Sequence, residues 1–380
     1  MKVYFKNLDG LRFIAAAMVI LQHTSEYKVF NADLGLPNMF RRNFEGLGSY
    51  GVTLFFVLSG YLIFYLLFTE HKITNTVNVK NFYIRRMLRI WPLYLGFGIL
   101  MILGIDYLQG KLGNQIDTPV FENLFYLFTF SINLQMLFAI PNKGIIELYW
   151  SVCIEEQFYL VAPWIVKKWA NKLLYIIIGL IAIGLLTKFI LYELETRGHY
   201  DFNNINPLYF FTLCRLDNFG IGALAAYIYF KKPVYEKCKH VIENKYLQLF
   251  VILFTLAFIL NLVPEPWFVS TFLFATFPSV LFAFIILAAS TGKFIFNLET
   301  RLLKSLGKYS YGIYVFHAVV SQVVLVVFIK YLPHDSKWAF EVAFPLASIV
   351  LSSIVAGLSY EIYEKRFLKL KDRFALIKKQ

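Results

Sequence analysis

Leu8 to Thr24, LDGLRFIAAAMVILQHT, sets an apolar block, Phe13 to Leu21, between three polar side chains that hydrocarbon disfavours: Asp9, Arg12 and His23. The composition of that block predicts a membrane helix, and the bracketing residues predict that the helix carries chemistry. An α-helix advances 1.5 Å and 100° per residue, so the steps from Arg12 to His23 separate the two by about 16 Å along the axis and only about 20° around it. Both side chains therefore project from one face. A cation near one membrane boundary, aligned with an imidazole most of a leaflet away, suits a site that holds a long anionic ligand by its tail and works on its head.

The rest of the chain agrees in composition. It has 380 residues, 58% hydrophobic and 19% aromatic with 16% charged, and contains many apolar runs near the length a helix needs to cross lipid. The fold class is all-α, a polytopic membrane helix bundle. The acidic Asp9 and the lack of a small-x-small site argue that the N-terminal apolar run is kept as the first span rather than cleaved as a signal peptide. The formal net charge of +13 would suit nucleic acid in a soluble chain. Here the basic residues concentrate in short loops and the tail, as a cytoplasmic bias requires, and no nucleic-acid partner is implied. Cys153, Cys214 and Cys238 form no CxxC pair, so neither a disulfide framework nor a metal site is expected.

Lys167, Lys168 and Lys172, then Lys231 to Lys245, the 293–308 loop and Lys365 to Lys379 alternate correctly as cytoplasmic segments. Arg85, Arg86 and Arg89 belong to the same side, on an interfacial turn whose Trp91 and Pro92 suit the start of a span. This parity forces an odd number of crossings between Phe121 and Ile165, where two apolar segments lie. The first, FENLFYLFTFSINLQMLF, is broken by Asn123, Asn133 and Gln135, and reads as a re-entrant or interfacial segment. About ten crossings follow, with both termini cytoplasmic: a single membrane domain over 1–367 and a basic tail over 368–380. The later spans fall near Leu173–Tyr192, Leu208–Phe230, Tyr246–Leu262, Val269–Ser290, Tyr309–Ile329 and Trp338–Tyr360. Ser59 and Gly60 in FFVLSGYLI mark a close helix approach.

Other polar residues fall within apolar runs. Glu155 and Glu156 in WSVCIEEQFY project about 100° apart, so at least one faces the interior and needs a partner, as an ion pair with arginine, as a site wall, or as both. Arg215 and Asp217 in CRLDNFGIGALAAY fit either a helix-end ion pair or a functional box. The arginines 85, 86 and 89 fit a topology signal, and guanidinium is also the best phosphate fork available. His317 is a second histidine inside a span; His71, His199, His240 and His334 lie in loops.

Taken in order, LDGLR-x10-H, FFVLSG, RRMLRIWP, YWSVCIEEQFYL, RLDNFGIGAL and SYGIYVFH resemble the acyltransferase-3 family of integral membrane acyltransferases, which O-acetylate bacterial surface and exported glycans. The resemblance runs from Leu8 to about Phe367 and implies an O-acyltransferase. Its donor would be cytosolic acetyl-CoA or another short acyl-CoA, and its acceptor a hydroxyl of an extracytoplasmic glycan or lipid-linked saccharide. It implies catalytic roles for His23 and Glu155, and substrate or acyl-CoA binding by Arg12, Arg85, Arg86, Arg89, Arg215, Asp217 and His317. It also implies a multi-pass protein of the inner membrane among lipids, with acyl-CoA as a consumed donor rather than a resident cofactor. One departure is Glu364-Lys365-Arg366-Phe367, where members often carry proline third. Members with a fused esterase-like domain are longer, so this chain is expected to bring donor and acceptor together with the membrane unit. A polysaccharide or small-molecule transporter is the alternative reading, with the same charges lining a path. That class usually shows paired repeats, and none is visible.

Overall fold

The computed structural model describes residues 2–111, 120–138, 145–197, 206–263, 273, 275–374 and 378–379. Its bundle is built from α1 (Leu8–Phe30), α2 (Leu47–Thr74), α3 (Val79–Lys111), α4 (Val120–Phe128), α5 (Ile132–Phe138), α6 (Trp150–Trp169), α7 (Leu173–Thr196), α8 (Leu216–Phe230), α9 (Lys232–Ile242), α10 (Lys245–Ile259), α11 (Thr276–Ser290), α12 (Arg301–Lys308), α13 (Ser310–Tyr331), α14 (Phe344–Ser359) and α15 (Lys365–Lys371). A two-residue parallel pairing joins Lys2–Val3 to Lys378–Lys379, so the first and last described residues meet at one end.

Contacts fix the direction of each rod. On α2, Gly51 backs onto Ala15 and Val19, and Tyr61 and Tyr65 reach Phe5, so α1 and α2 are antiparallel. Phe219 meets Phe56 and Phe230 meets Phe68, which makes α8 parallel to α2. Phe158 stacks on Phe219 while Gly184 backs onto Asp217 and Gly220 onto Ile181, so α6 and α7 run in opposite directions. The same reasoning, through Asn218–Ser279 and Tyr229–Ser290, Phe258–Phe277, Tyr311–Ile90 with Phe97–Phe316, and Phe328–Phe344, orients the others. The result is α1, α3, α7, α10 and α13 in one direction and α2, α6, α8, α11 and α14 in the other, the alternation expected of a polytopic bundle. By length and apolar composition alone, five helical stretches could cross a membrane, or six if the pair Lys232–Ile242 and Lys245–Ile259, bent by 76°, is one span. That count is lower because α1, the expected first span, is not among these stretches and one of them, Ile146–Thr196, holds two rods. In addition, α8, α10 and α11 have 15 residues each, about 22 Å of helix. The expected span Val269–Ser290 begins in residues outside those described.

The interval 121–165 behaves as its polar residues predict. Helices α4 and α5, 9 and 7 residues long, are separated by a turn in which Phe130 has φ 51°, and neither could span hydrocarbon. Each of the three interrupting residues has a hydrogen-bond partner inside the protein. Gln135 donates to Asn123 at 2.8 Å, Asn133 donates to the Phe210 carbonyl, and Gln157 of α6 donates to Asn133 and to the Phe130 carbonyl. A broken segment at membrane depth is tolerable on that condition. Pro92 does not begin a span: α3 starts at Val79 and the proline lies inside it. Around it, Tyr311 and Tyr363 donate to the Ile90 and Pro92 carbonyls.

Where α2 crosses α8, Gly60 faces the Phe219 backbone and Gly222 faces the Val57 backbone, and a Cβ on either would overlap it. This is the close approach that Ser59 and Gly60 foretell. The rods place Arg85, Lys167, Lys231, Lys304 and Lys365 together at the end where α1 begins, which we call the basic end.

Candidate functional site

A cavity of about 230 Å³ lies among α1, α2, α3, α6 and α13. Arg12, Arg85, Arg86, Arg89 and Lys371 line its basic end; Val52, Ser151 and Tyr314 line its inner end; Phe55, Phe56, Leu62 and Ile63 line the wall between. From Leu66 to Val52 it follows about 21 Å of α2. Arg12, one helical turn from Asp9, forms an ion pair with it. Arg86 lies over the rings of Phe82 and Tyr159, 5.5 Å from each centroid, and its Nε is buried with no hydrogen-bond partner among the described residues. Tyr159 is fixed by Ser59, 2.5 Å away. The sequence grouped Arg85 with Arg86 and Arg89; Arg85 borders the cavity with them, but its guanidinium is already tied to other protein groups. It pairs with buried Glu70 at 3.0 Å and donates to the Phe374 carbonyl at 2.9 Å. Beyond Phe367, α15 continues to Lys371, which borders the cavity.

Glu155 and Glu156 divide as their 100° separation requires. Glu155 lines the cavity beside Tyr159 and in the field of Arg89 and Arg86. Glu156 turns away and accepts from the Trp91 indole at 3.0 Å. The acid within 4 Å of His23 is Glu26, not Glu155. The structure does not bring Glu155 to the imidazole.

His317 takes that place. His23 Nδ1 and His317 Nε2 are 2.8 Å apart, the rings stack at 5.0 Å and 8°, and His317 Nδ1 is bonded to the Tyr314 carbonyl. A carbonyl only accepts, so His317 Nδ1 carries the hydrogen. In the neutral pair His317 Nε2 then accepts from His23 Nδ1, which leaves the lone pair of His23 on Nε2. That nitrogen faces Glu26, whose Oε2 is 3.8 Å away; His23 keeps 18% of its side-chain surface exposed and Glu26 42%. His23 does not line the cavity. One layer intervenes, formed by Phe55 and Tyr314, whose hydroxyl bonds Ser151 at 2.6 Å and donates to the Leu148 carbonyl at 2.8 Å.

Arg215 and Asp217 lie outside that cavity lining and do not pair with each other in the simple way their spacing suggests. Asp217 receives Lys188 of α7 at 2.6 Å, the Thr276 hydroxyl and the Asn218 amide, all fully buried or nearly so. Arg215 donates from Nε to the Tyr209 carbonyl and stacks over Tyr209 at 4.6 Å and Trp150 at 5.9 Å. Lys188 was missed, although a lone lysine in LLTKFIL is itself the signal. Glu26 was missed too, one turn beyond His23 on the same face. Among the described residues no group of three or more His, Cys, Asp or Glu side chains is arranged to hold a metal ion.

The class defined by these features is a polytopic helical membrane protein with a basic cavity and, beyond its inner end, a histidine pair. The chain belongs to the acyltransferase-3 family: the family's acyltransferase domain matches residues 5–362. A Staphylococcus aureus (strain NCTC 8325) protein, O-acetyltransferase OatA, is 26% identical over 379 residues, covering 95% of this chain and 57% of that protein. OatA of strain COL gives the same figures, 26% over 379 residues, with the same shares of 95% and 57%. The chain thus spans less than three-fifths of the curated relatives it matches. No solved structure matches it.

Proposed function

We propose that the chain is a membrane-embedded O-acyltransferase of the cell envelope. It moves an acetyl or other short acyl group from acyl-CoA, entering at the basic end, to a hydroxyl of a glycan or lipid-linked saccharide on the opposite side. The observation that carries this reading is the division of the site. An arginine-lined cavity reaches inward from the basic end and stops one residue layer below a histidine whose free nitrogen is open on the other side. In this reading Arg12, Arg86 and Arg89 hold the phosphates of the donor, and the pantetheine arm follows the apolar wall of α2. A buried Arg86 Nε without a hydrogen-bond partner among the described residues suits an anionic ligand. His23 Nε2 takes the proton of the attacking hydroxyl, the new ester C–O bond forms as the thioester C–S bond breaks, and the imidazolium returns the proton to the leaving thiolate. A two-step variant, in which His23 carries the acetyl group as N-acetylimidazole, uses the same nitrogen.

Both termini are cytoplasmic in this reading, because the basic end carries the loops that the charge bias assigns to the cytoplasm. The test compares base-labile acetate on envelope polysaccharides of cells with intact protein, His23→Ala, or none. Acetate that depends on His23 supports the reading. Equal acetate in all three overturns it and favours the transporter class.

A further inference from the structure

We infer that Glu26 is a positioning residue for the transfer, holding the negative charge against which the His23 imidazolium forms; this rests on the acyltransferase reading of His23. The hydrogen-bond chain from the Tyr314 carbonyl through His317 commits His23 Nδ1, so the only ring nitrogen able to accept a proton is Nε2, and Glu26 is the acid beside it. Its position is built rather than incidental. Glu26 Oε1 accepts from Gln22 Nε2 at 2.6 Å, and Gln22 Oε1 accepts from the Gly48 amide at 2.6 Å, which ties the carboxylate to the crossing of α1 and α2. The other titratable groups around it are Tyr27 on α1, His317 on α13, Glu45 beyond the turn Arg41–Phe44, and Tyr209 of the turn Pro207–Phe210, with Arg215 stacked behind Tyr209.

When the hydroxyl proton moves to Nε2, a charge appears on a ring in a largely dry setting. His317 is wholly buried and offers it only a neutral acceptor. A carboxylate 3.8 Å away favours the charged ring without being protonated itself. The 3.8 Å separation also exceeds hydrogen-bond length, so Nε2 stays available to the acceptor hydroxyl, which approaches along the exposed edge between the two groups. The proton passes from hydroxyl to His23 and on to the thiolate of the donor; Glu26 neither gives nor takes a proton in the step.

The proposal separates charge from shape. Gln at position 26 is isosteric and can still bond Gln22, so a merely structural residue would tolerate Glu26→Gln and suffer from the shorter Glu26→Asp. An electrostatic residue predicts the reverse. Cells expressing wild type, Glu26→Gln, Glu26→Asp and His23→Ala at matched membrane levels are compared for the initial rate at which base-labile envelope acetate appears, with acetyl-CoA binding measured on the purified proteins. Glu26→Gln should be slowed about tenfold with donor binding unchanged, the effect of roughly one pK unit on the base, and Glu26→Asp should recover most of the rate. A Glu26→Gln rate equal to wild type, or Glu26→Asp worse than Glu26→Gln, overturns the inference while His23→Ala remains inactive. Full acetate from His23→Ala instead overturns the acyltransferase reading beneath it.

Discussion

His317 Nε2 stands 2.8 Å from His23 Nδ1 across 294 residues of chain, and the Tyr314 carbonyl behind it fixes which of the four ring nitrogens is free. The pair works as a unit only while His317 can accept. His317→Ala frees His23 to adopt either tautomer and to rotate, so it should lower transfer on the order of 10²-fold, toward the lower end of what general-base catalysis supplies. Donor binding, 16 Å or so below, should not change. Loss of acyl-CoA affinity in a well-folded His317→Ala protein would show instead that this ring belongs to the donor site.

The arginines of RRMLR should divide by role. Arg86 and Arg89 border the cavity, and a charge-assisted contact to phosphate contributes on the order of 1.5 to 3 kcal/mol, so Arg86→Ala or Arg89→Ala should weaken acyl-CoA binding roughly tenfold or more. Arg85 is tied to Glu70, whose side chain is only 6% exposed. Removing one partner of such a pair strands the other, at about 3 kcal/mol. Arg85→Ala should therefore lower the melting temperature in detergent more than it lowers donor affinity. Calorimetry and thermal unfolding on the same three variants decide this, and equal affinity loss for all three would contradict the division.

At Lys188 and Asp217 the expected effect is on stability. Both side chains are fully buried, and cutting a buried pair on one side is costly whereas removing both charges can be nearly neutral. Lys188→Met should be strongly destabilising, and Lys188→Met combined with Asp217→Asn should recover much of the loss, a coupling readable as a double-mutant cycle in thermal unfolding. Additive losses would mean that the two residues do not act as a pair.

Much of this was readable in the sequence, and the parts that were not have a common physical cause. Helical periodicity placed Arg12 and His23 on one face, polar interruptions marked the broken α4–α5 segment, and Ser59-Gly60 marked the α2–α8 crossing. Each of these signals is local. The partner of a buried charge is not: Asp217 has Arg215 two residues away in sequence but takes Lys188 from another rod, and His23 takes a ring from α13 rather than the acid Glu155. Pro92 misled because proline is favoured at a helix start, whereas here it lies inside α3, which begins at Val79. The cavity itself is a property of five rods at once and has no counterpart in any one of them.

Orientation follows from the ends of the rods. In a background lacking Cys153, Cys214 and Cys238, Lys239→Cys should resist an impermeant thiol reagent in intact cells while Asp33→Cys reacts. Asp33 is exposed and the Lys239 side chain keeps 41% of its surface exposed, so a difference in labelling reports the side of the membrane. Reaction at residue 239 from outside would invert the orientation and place the arginine-lined cavity away from cytosolic acyl-CoA.

The chemistry turns on one atom, Nε2 of His23. Direct transfer needs it as a base and the two-step route needs it as a nucleophile, so His23→Ala should abolish acetyl transfer on either path, by about 10²–10⁴-fold if a general base is lost and further for a nucleophile. Because His23 stands outside the cavity lining, the same variant should insert, fold and bind acyl-CoA as wild type does. Incubation with donor alone then separates the routes. An acetyl group recovered on the peptide containing His23 requires that the layer of Phe55 and Tyr314 open before the acceptor arrives, and it selects the two-step path. No adduct, together with transfer whenever acceptor is present, selects direct attack.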